Sequence, residues 1–153
     1  MELPKYHSQS SSCFEAVVFV VEPEQDLYLS LNNIAEKHSI TAGWVTGIIG
    51  TLSEVRLAWF NTEKGRFEIT EMKKGLELLS AQGSIALELG TLRAHVHMTM
   101  ADREANTIGG HLLEGCIVKD VAEGTFLKFN DLSMRHLPVD RIPLPILHIM
   151  KSP

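Results

Sequence analysis

The sequence predicts an α+β domain built mainly on an antiparallel sheet, with one main amphipathic helix and short additional helices. Short strand-like segments follow one another with little helix between them, which is typical of antiparallel sheets. Residues 26–38 instead place apolar side chains at helical spacing, and Asp26 is a candidate cap for that helix. At 153 residues the chain has the length of one domain and can bury a core of its own.

The strand assignments rest on apolar runs and on the residues that interrupt them. The first strand is predicted over Phe14–Val21, a run rich in β-branched residues that Pro23 ends. After the helix, strand-like segments alternate with glycine-containing breaks. The predicted strands cover residues 42–49, 54–60, 66–72 and 76–85, and the breaks are Gly50, residues 61–65 and Lys74-Gly75.

Composition and charge narrow the classes of function. The formal net charge is −5 and the basic residues are scattered, which disfavours direct DNA binding by this chain alone. The longest apolar run, residues 16–21, is too short to cross a bilayer, so no membrane partner is expected. No export signal is recognisable, which predicts a cytoplasmic location and free thiols at Cys13 and Cys116.

Residues 91–101 alternate between two kinds of side chain. One parity holds Arg93, His95, His97 and Thr99, and the other holds Leu92, Ala94, Val96, Met98 and Met100. Because successive strand side chains point to opposite faces, both histidines lie on one face. Their Cα atoms are then about 6–7 Å apart, so the two imidazoles can lean onto one ion.

A third histidine follows on the next predicted strand. Residues 101–106 form a polar turn that folds Gly109, Gly110 and His111 back beside the histidine strand. Three imidazoles that leave one coordination position open suit zinc or another divalent transition metal. The same residues also suit an anionic or planar small ligand, and this alternative stays open. A solvated face without a ligand is the simplest reading of histidines spaced two apart.

Other candidate residues have weaker signals. Asp102 and Glu114 are possible general bases for a metal-activated water, although carboxylates in turns are usually only solvated. No nucleophile or known catalytic motif is present, so the sequence favours a binding module over an enzyme. Four further histidines have no partner in sequence that singles them out. These are His7, His38, His136 and His148.

A set of motifs follows a recognisable order along residues 14–129. The most distinctive are Ala101-Asp102, Gly109-Gly110-His111-Leu112 and Gly115-Cys116-Ile117-Val118. Residues 42–48, 52–55, 65–69 and 77–85 agree with the same pattern. Together they resemble the PPC domain family (plants and prokaryotes conserved), as a standalone prokaryotic-type member without the Arg-Gly-Arg-Pro core of an AT-hook.

The resemblance implies a homotrimeric fold with an antiparallel sheet and a role in assembly and partner contacts. The segment Gly65-Arg66-Phe67-Glu68-Ile69 matches a family stretch implicated in such contacts, which makes Arg66 a candidate ligand or partner contact. The chain then divides into an N-terminal arm over residues 1–13 and a PPC domain over residues 14–130. Residues 131–153 form a tail predicted to pack on the domain or on a neighbouring subunit.

Three functional hypotheses follow. The first is a DNA-associated or regulatory binding module, with a metal or small-ligand pocket at His95, His97 and His111 and contacts from Asp102, Gly109, Gly110 and Glu114. The second is a hydrolytic enzyme that uses a metal held by the same three histidines. The third is a protein that binds DNA directly, which the acidic balance and the missing hook disfavour.

Overall fold

The structure is a computed structural model that describes residues 6–140 and 142–152. The described residues form eight strands and one helix. In chain order these are β1 (Phe14–Val21), α1 (Leu27–Lys37), β2 (Gly43–Asn61), β3 (Arg66–Glu88), β4 (Thr91–Ala101), β5 (Thr107–Leu112), β6 (Ile117–Phe129), β7 (Leu132–Val139) and β8 (Ile142–Lys151). The predicted strand over Phe14–Val21 and the single amphipathic helix are confirmed.

The predicted α+β class with short additional helices is wrong. Strands take up 68% and helix only 8% of the described residues, so the protein is mostly β. The difference arises because β2 and β3 run on for 19 and 23 residues. They continue through Gly50 and through Lys74-Gly75, where the sequence predicts breaks. The structure describes a single chain, so the homotrimer stays a prediction.

Gly50 interrupts the apolar pattern of β2 without ending the strand. Its backbone has a φ of +156°, and a Cβ at this position would lie 2.2 Å from the backbone oxygen of Val121. The glycine is therefore required by the close passage of β6 across β2. A register shift between Leu52 and Glu54 follows shortly afterwards in the pairing of β2 with β3. The sequence signal for a turn is in this case the signal for an irregular strand.

All eight strands belong to one sheet, in the order β1-β6-β2-β5-β4-β3-β7-β8. Because β2 also pairs with β3, the strands β2, β3, β4 and β5 pair in a closed ring. The pairing of β7 with β3 is parallel, and the other pairings are antiparallel. The histidine strand β4 thus lies between two partners, and β5 and β3 fix its position.

Helix α1 supports β4 from the side of the core. The carboxylate of Asp26 caps the helix by accepting a hydrogen bond from the backbone N–H of Leu29 at 3.0 Å. The helix buries Leu27, Leu31 and Ala35 in the same apolar core as the inward side chains of β4. Asn32 also accepts a hydrogen bond at 3.0 Å from the backbone N–H of Ala94. The helix therefore supplies a hydrogen-bond acceptor to a part of β4 that does not pair with β5.

Ser12 and Lys151, from near the two ends of the described chain, both contact Asp131. The backbone N–H of Ser12 and the Lys151 ammonium both bind the Asp131 carboxylate, at 3.2 Å and 2.9 Å. Residues 132–151, which the sequence assigns to a tail, include the paired strands β7 and β8. Residues 1–5 of the predicted arm lie outside the described residues. Within the described part of the chain, no helix has the length and apolar character needed to span a membrane.

Truncating Leu31 tests how much the fold depends on helix packing. Leu31 has no exposed surface, whereas Leu29 on the same helix is 43% exposed. We expect Leu31→Ala to lower the free energy of unfolding by about 2–5 kcal/mol, and the matched Leu29→Ala control by less than about 1 kcal/mol. Urea unfolding of both variants measures this difference. Equal losses would contradict the described packing of α1.

Candidate metal centre

The three histidines singled out by the sequence lie together on the face of the sheet that points away from the core. His95 and His97 are on β4, and His111 is on β5, where its backbone pairs with that of His97. The Nε2 atoms of His95 and His97 are 3.2 Å apart. One ring nitrogen from each of the three side chains lies within 4.8 Å of the other two. The structure thus brings together the residues that the alternation and the turn predict.

The turn between β4 and β5 sets this register. Asp102 Oδ1 accepts hydrogen bonds from the backbone N–H groups of Glu104 and Asn106, at 3.1 Å and 2.9 Å. Its other oxygen accepts from the Lys74 ammonium at 3.1 Å. A Cβ on Gly109 would lie 2.6 Å from the backbone oxygen of Met98, so the two strands approach closely only because this residue is glycine.

The donor atoms fit a transition-metal ion. Two nitrogens bound tetrahedrally to one ion at about 2.0–2.1 Å stand about 3.3 Å apart. The distance between the Nε2 atoms of His95 and His97 is close to this value, at 3.2 Å. Among the described residues, no fourth His, Cys, Asp or Glu joins the group. The three histidines can therefore bind one metal ion and leave a coordination position open, as three-histidine zinc sites do.

The environment of the rings favours the neutral imidazoles that a metal needs. Burial, with His95 and His97 close by, lowers the pKa of His111 from 6.5 to about 4. Burial also lowers the pKa of His95, and the neighbouring His136 and His97 lower it further. Because protons compete with metal ions for the same lone pairs, lowered pKa values extend metal binding to lower pH.

A cavity of about 480 Å³ opens beside the histidines. Its aromatic wall consists of Trp59, Phe60 and Phe67, from the ends of β2 and β3 that meet at the 62–65 turn. Trp59 is 65% exposed and Phe67 is 50% exposed. The volume lies in the range of small-molecule sites, which are about 300–1,000 Å³. The cavity therefore has room for a small ligand next to the metal position.

Four polar side chains that line this cavity are not among the site residues that the sequence predicts. They are Tyr28 on α1, Glu88 on β3, Arg93 on β4 and His136 on β7. The signal for Arg93 is present, because it shares the parity of His95 and His97. Glu88 lies in the short hairpin that joins β3 to β4. Tyr28 and His136 have no local signal, since they come from elements that only the folded protein brings near β4.

His136 lies beside the cluster, although the sequence around it gives no signal for a role in a site. It is only 5% exposed, and its ring centroid lies 5.4 Å from that of His95. Its backbone is in register with Glu88 across the parallel pairing of β7 with β3. Its Nε2 atom is 3.5 Å from the hydroxyl of Ser84, which is itself paired opposite His95. Burial lowers the pKa of His136, as it does for His95 and His111.

Some predicted contact residues lie elsewhere. Gly110 lines the cavity, but Arg66, Asp102 and Glu114 are not among the described residues that do. Arg66 is exposed at the start of β3, Asp102 holds its own turn, and Glu114 is exposed between β5 and β6. The carboxylate that the structure brings to the cavity is Glu88.

The pKa of His111 predicts how the metal-free protein responds to acid. His111 takes up a proton near pH 6.5 in the unfolded chain but only near pH 4 in the folded protein. The unfolded chain thus binds more protons in this window, and the free energy of unfolding falls as the pH falls through it. We expect His111→Asn to reduce this pH dependence. Urea unfolding of metal-stripped protein across the window measures it, and parallel profiles would contradict the lowered pKa.

Two solved structures show the same fold at low sequence identity. A protein from Archaeoglobus fulgidus described as metal-containing has a TM-score of 0.81 and 18% identity, with 94% of this chain and 98% of that chain covered. A protein from Ralstonia eutropha JMP134, provisionally described as DNA-binding, has a TM-score of 0.76 and 21% identity. The match covers 86% of this chain and 89% of the Ralstonia chain.

The sequence also matches curated proteins and a family model. The bifunctional protein GlmU of Synechococcus sp. (strain JA-2-3B'a(2-13)) is 34% identical over 101 residues, which are 66% of this chain. The chain spans about 15% of the length of the curated relatives that it matches. The model of the Plants and Prokaryotes Conserved (PCC) domain matches residues 8–130, as the motifs predict. The chain belongs to the Plants and Prokaryotes Conserved domain family.

Proposed function

We propose that this protein is a metal-binding module in which His95, His97 and His111 hold one divalent transition-metal ion, with zinc the first candidate. The observation behind the proposal is the convergence of three ring nitrogens within 4.8 Å of one another. Three neutral imidazoles with an open position are a donor set that zinc prefers. The description of the Archaeoglobus protein as metal-containing supports the same assignment.

The proposal includes the homotrimer that the family resemblance implies and a regulatory role for the assembly. Large apolar side chains are exposed on β1 and β2, among them Val18 at 77% and Ile49 at 55%. Surfaces of this kind are the ones that a second copy of a chain covers. DNA association is an alternative role, because the similar Ralstonia protein is provisionally described as DNA-binding. The net charge of −5 disfavours direct DNA contact by the chain alone.

Metal analysis of untagged protein tests the central proposal. We expect close to one zinc ion per chain, and we expect His95→Ala and His111→Ala to weaken binding by more than about 100-fold, because each removes a direct ligand. Competition with a chromogenic chelator measures the affinities. Urea unfolding of each variant separates loss of the metal from loss of the fold.

His38→Ala is the matched control for these variants. His38 is exposed at the end of α1, and its hydrogen bonds there are made by backbone atoms. We expect this variant to keep the metal content of the unmodified protein. Protein that is folded and free of metal, and that also fails to take up added zinc, would overturn the proposal.

Metal-dependent hydrolysis is the second candidate, and Glu88 is the observation that favours it. A divalent ion at the three histidines would supply Lewis-acid chemistry and lower the pKa of water towards neutrality. Glu88 lines the same cavity and offers a half-buried carboxylate that can accept a proton. Asp102 and Glu114, the carboxylates that the sequence suggests for this role, lie in turns and are not among the described residues that line the cavity.

Zinc-loaded protein and 4-nitrophenyl acetate provide the test of hydrolysis. If the candidate is right, the zinc-loaded protein accelerates release of 4-nitrophenol, and Glu88→Gln slows it by about 100-fold or more. Glu114→Gln, which changes an exposed carboxylate away from the cavity, serves as the matched control and keeps the full rate. Equal rates in both variants, or equal rates with and without zinc, would remove the enzyme candidate.

A further inference from the structure

Arg93 places a positive charge beside the metal position. It precedes His95 by two residues on β4 and points to the same exposed face, about 6–7 Å along the strand. It lines the cavity that opens beside the histidines, and it is the only Lys or Arg among the described residues that do so. Any ligand that fills the cavity next to the metal therefore lies within reach of this guanidinium.

The Arg93 side chain is held in place but keeps most of its donors free. One Nη atom donates a hydrogen bond to the Tyr28 hydroxyl at 3.3 Å, which ties the guanidinium to α1. No carboxylate oxygen of the described residues lies within 4.0 Å of it. Arg56, by contrast, pairs with Glu71 at 3.0 Å. A guanidinium has five N–H donors, and the fork suits a carboxylate in two parallel hydrogen bonds.

The charges around the cavity favour an anion once a metal is bound. Arg93 and Glu88 line the cavity together and contribute one charge of each sign. A divalent ion at the three histidines adds two positive charges to this balanced set. The excess positive charge beside an open coordination position attracts an anion.

The rest of the cavity wall is apolar and favours an anion that also carries an apolar group. Trp59 and Phe67 are exposed to 65% and 50%, and the Phe60 ring packs edge-on against Phe67 at 5.1 Å. Leu144 and Pro145 of β8 add apolar surface to the same cavity. A volume of about 480 Å³ fits a small molecule. Phosphate groups usually find several backbone N–H donors at a helix N-terminus, and the described lining offers one arginine instead.

We propose that the cavity binds a small organic acid whose carboxylate pairs with Arg93 and whose apolar body packs against Trp59, Phe60 and Phe67. The proposal rests on the metal-binding function above, since the ion supplies the excess positive charge and a position for a second oxygen of the acid. It assigns to Arg93 the role of a specificity-determining residue that distinguishes carboxylates from neutral molecules of the same shape.

Calorimetric titration of zinc-loaded protein with 3-phenyllactate tests the proposal. This probe combines a carboxylate, a neighbouring hydroxyl and an aromatic ring. We expect Arg93→Gln to weaken its binding at least about tenfold, because a charge-assisted pair is lost. The amide of 3-phenyllactic acid should bind the unmodified protein no better than 3-phenyllactate binds the variant. Arg103→Gln changes an exposed arginine in the turn after β4, outside the cavity, and is the matched control that should bind normally.

Zinc content measured on the same samples separates this proposal from the metal site. Arg93→Gln should hold as much zinc as the unmodified protein, because Arg93 is not a ligand. If zinc is held but 3-phenyllactate does not bind, or binds both proteins equally, the organic-acid proposal is overturned and the metal site stands. If zinc is not held, the metal proposal fails, and titration of the metal-free protein decides the rest. Binding of 3-phenyllactate that is lost in Arg93→Gln then supports the organic-acid site. No binding, or equal binding to both proteins, overturns the organic-acid proposal.

Discussion

The side-chain alternation of β4 is the constraint on which the rest of the site depends. Every second residue from Leu92 to Met100 points to the core, and the residues between them point to the opposite face. A slip of one residue would bury Arg93, His95 and His97 and expose the core residues, at a cost no other contact could offset. The core that stabilises the protein thus also orients the site. The same strand pairing puts His111 opposite His97, so the metal position needs no flexible loop.

Local patterns predicted the parts of the fold that local interactions determine. The period-2 run of β4, the polar turn after it and the amphipathic helix all depend on residues close in sequence. The lengths of β2 and β3, by contrast, do not depend only on residues close in sequence. Gly50 and Lys74-Gly75 are typical of turns, but both lie in long strands. Gly50 pairs with Leu78 and Ala122, and Lys74-Gly75 lie at a register shift where β3 pairs with β2 on both sides of them. Whether a glycine ends a strand or lets a neighbour pass is decided by that neighbour, which the local sequence does not contain.

The same division explains which site residues the sequence reveals. His95, His97 and Arg93 share one strand face, and His111 returns through a short turn, so all four are accessible to reasoning about local structure. His136 reaches the cavity through the parallel pairing of β7 with β3, whose sequence separation hides it. Glu88 lies opposite Thr91 in the short hairpin that joins β3 to β4. The sequence leaves Asp102 as either a possible base or, more commonly for such a residue, a turn carboxylate, and its carboxylate accepts hydrogen bonds from N–H groups of its own turn. A carboxylate near a histidine motif is therefore a poor candidate base when it can cap a turn instead.

The electrostatics of the cluster explain why a metal suits it better than protons do. Three protonated imidazoles with ring nitrogens within 4.8 Å would bring three like charges together. Burial, and then the neighbouring His95 and His97, lower the pKa of His111. One divalent ion engages the same three lone pairs with two charges at a single point. Glu88 nearby offsets one of these charges, and the remaining excess is available to an anion beside Arg93. The proposed metal and anion sites would therefore be coupled, because filling either one would lower the electrostatic cost of filling the other.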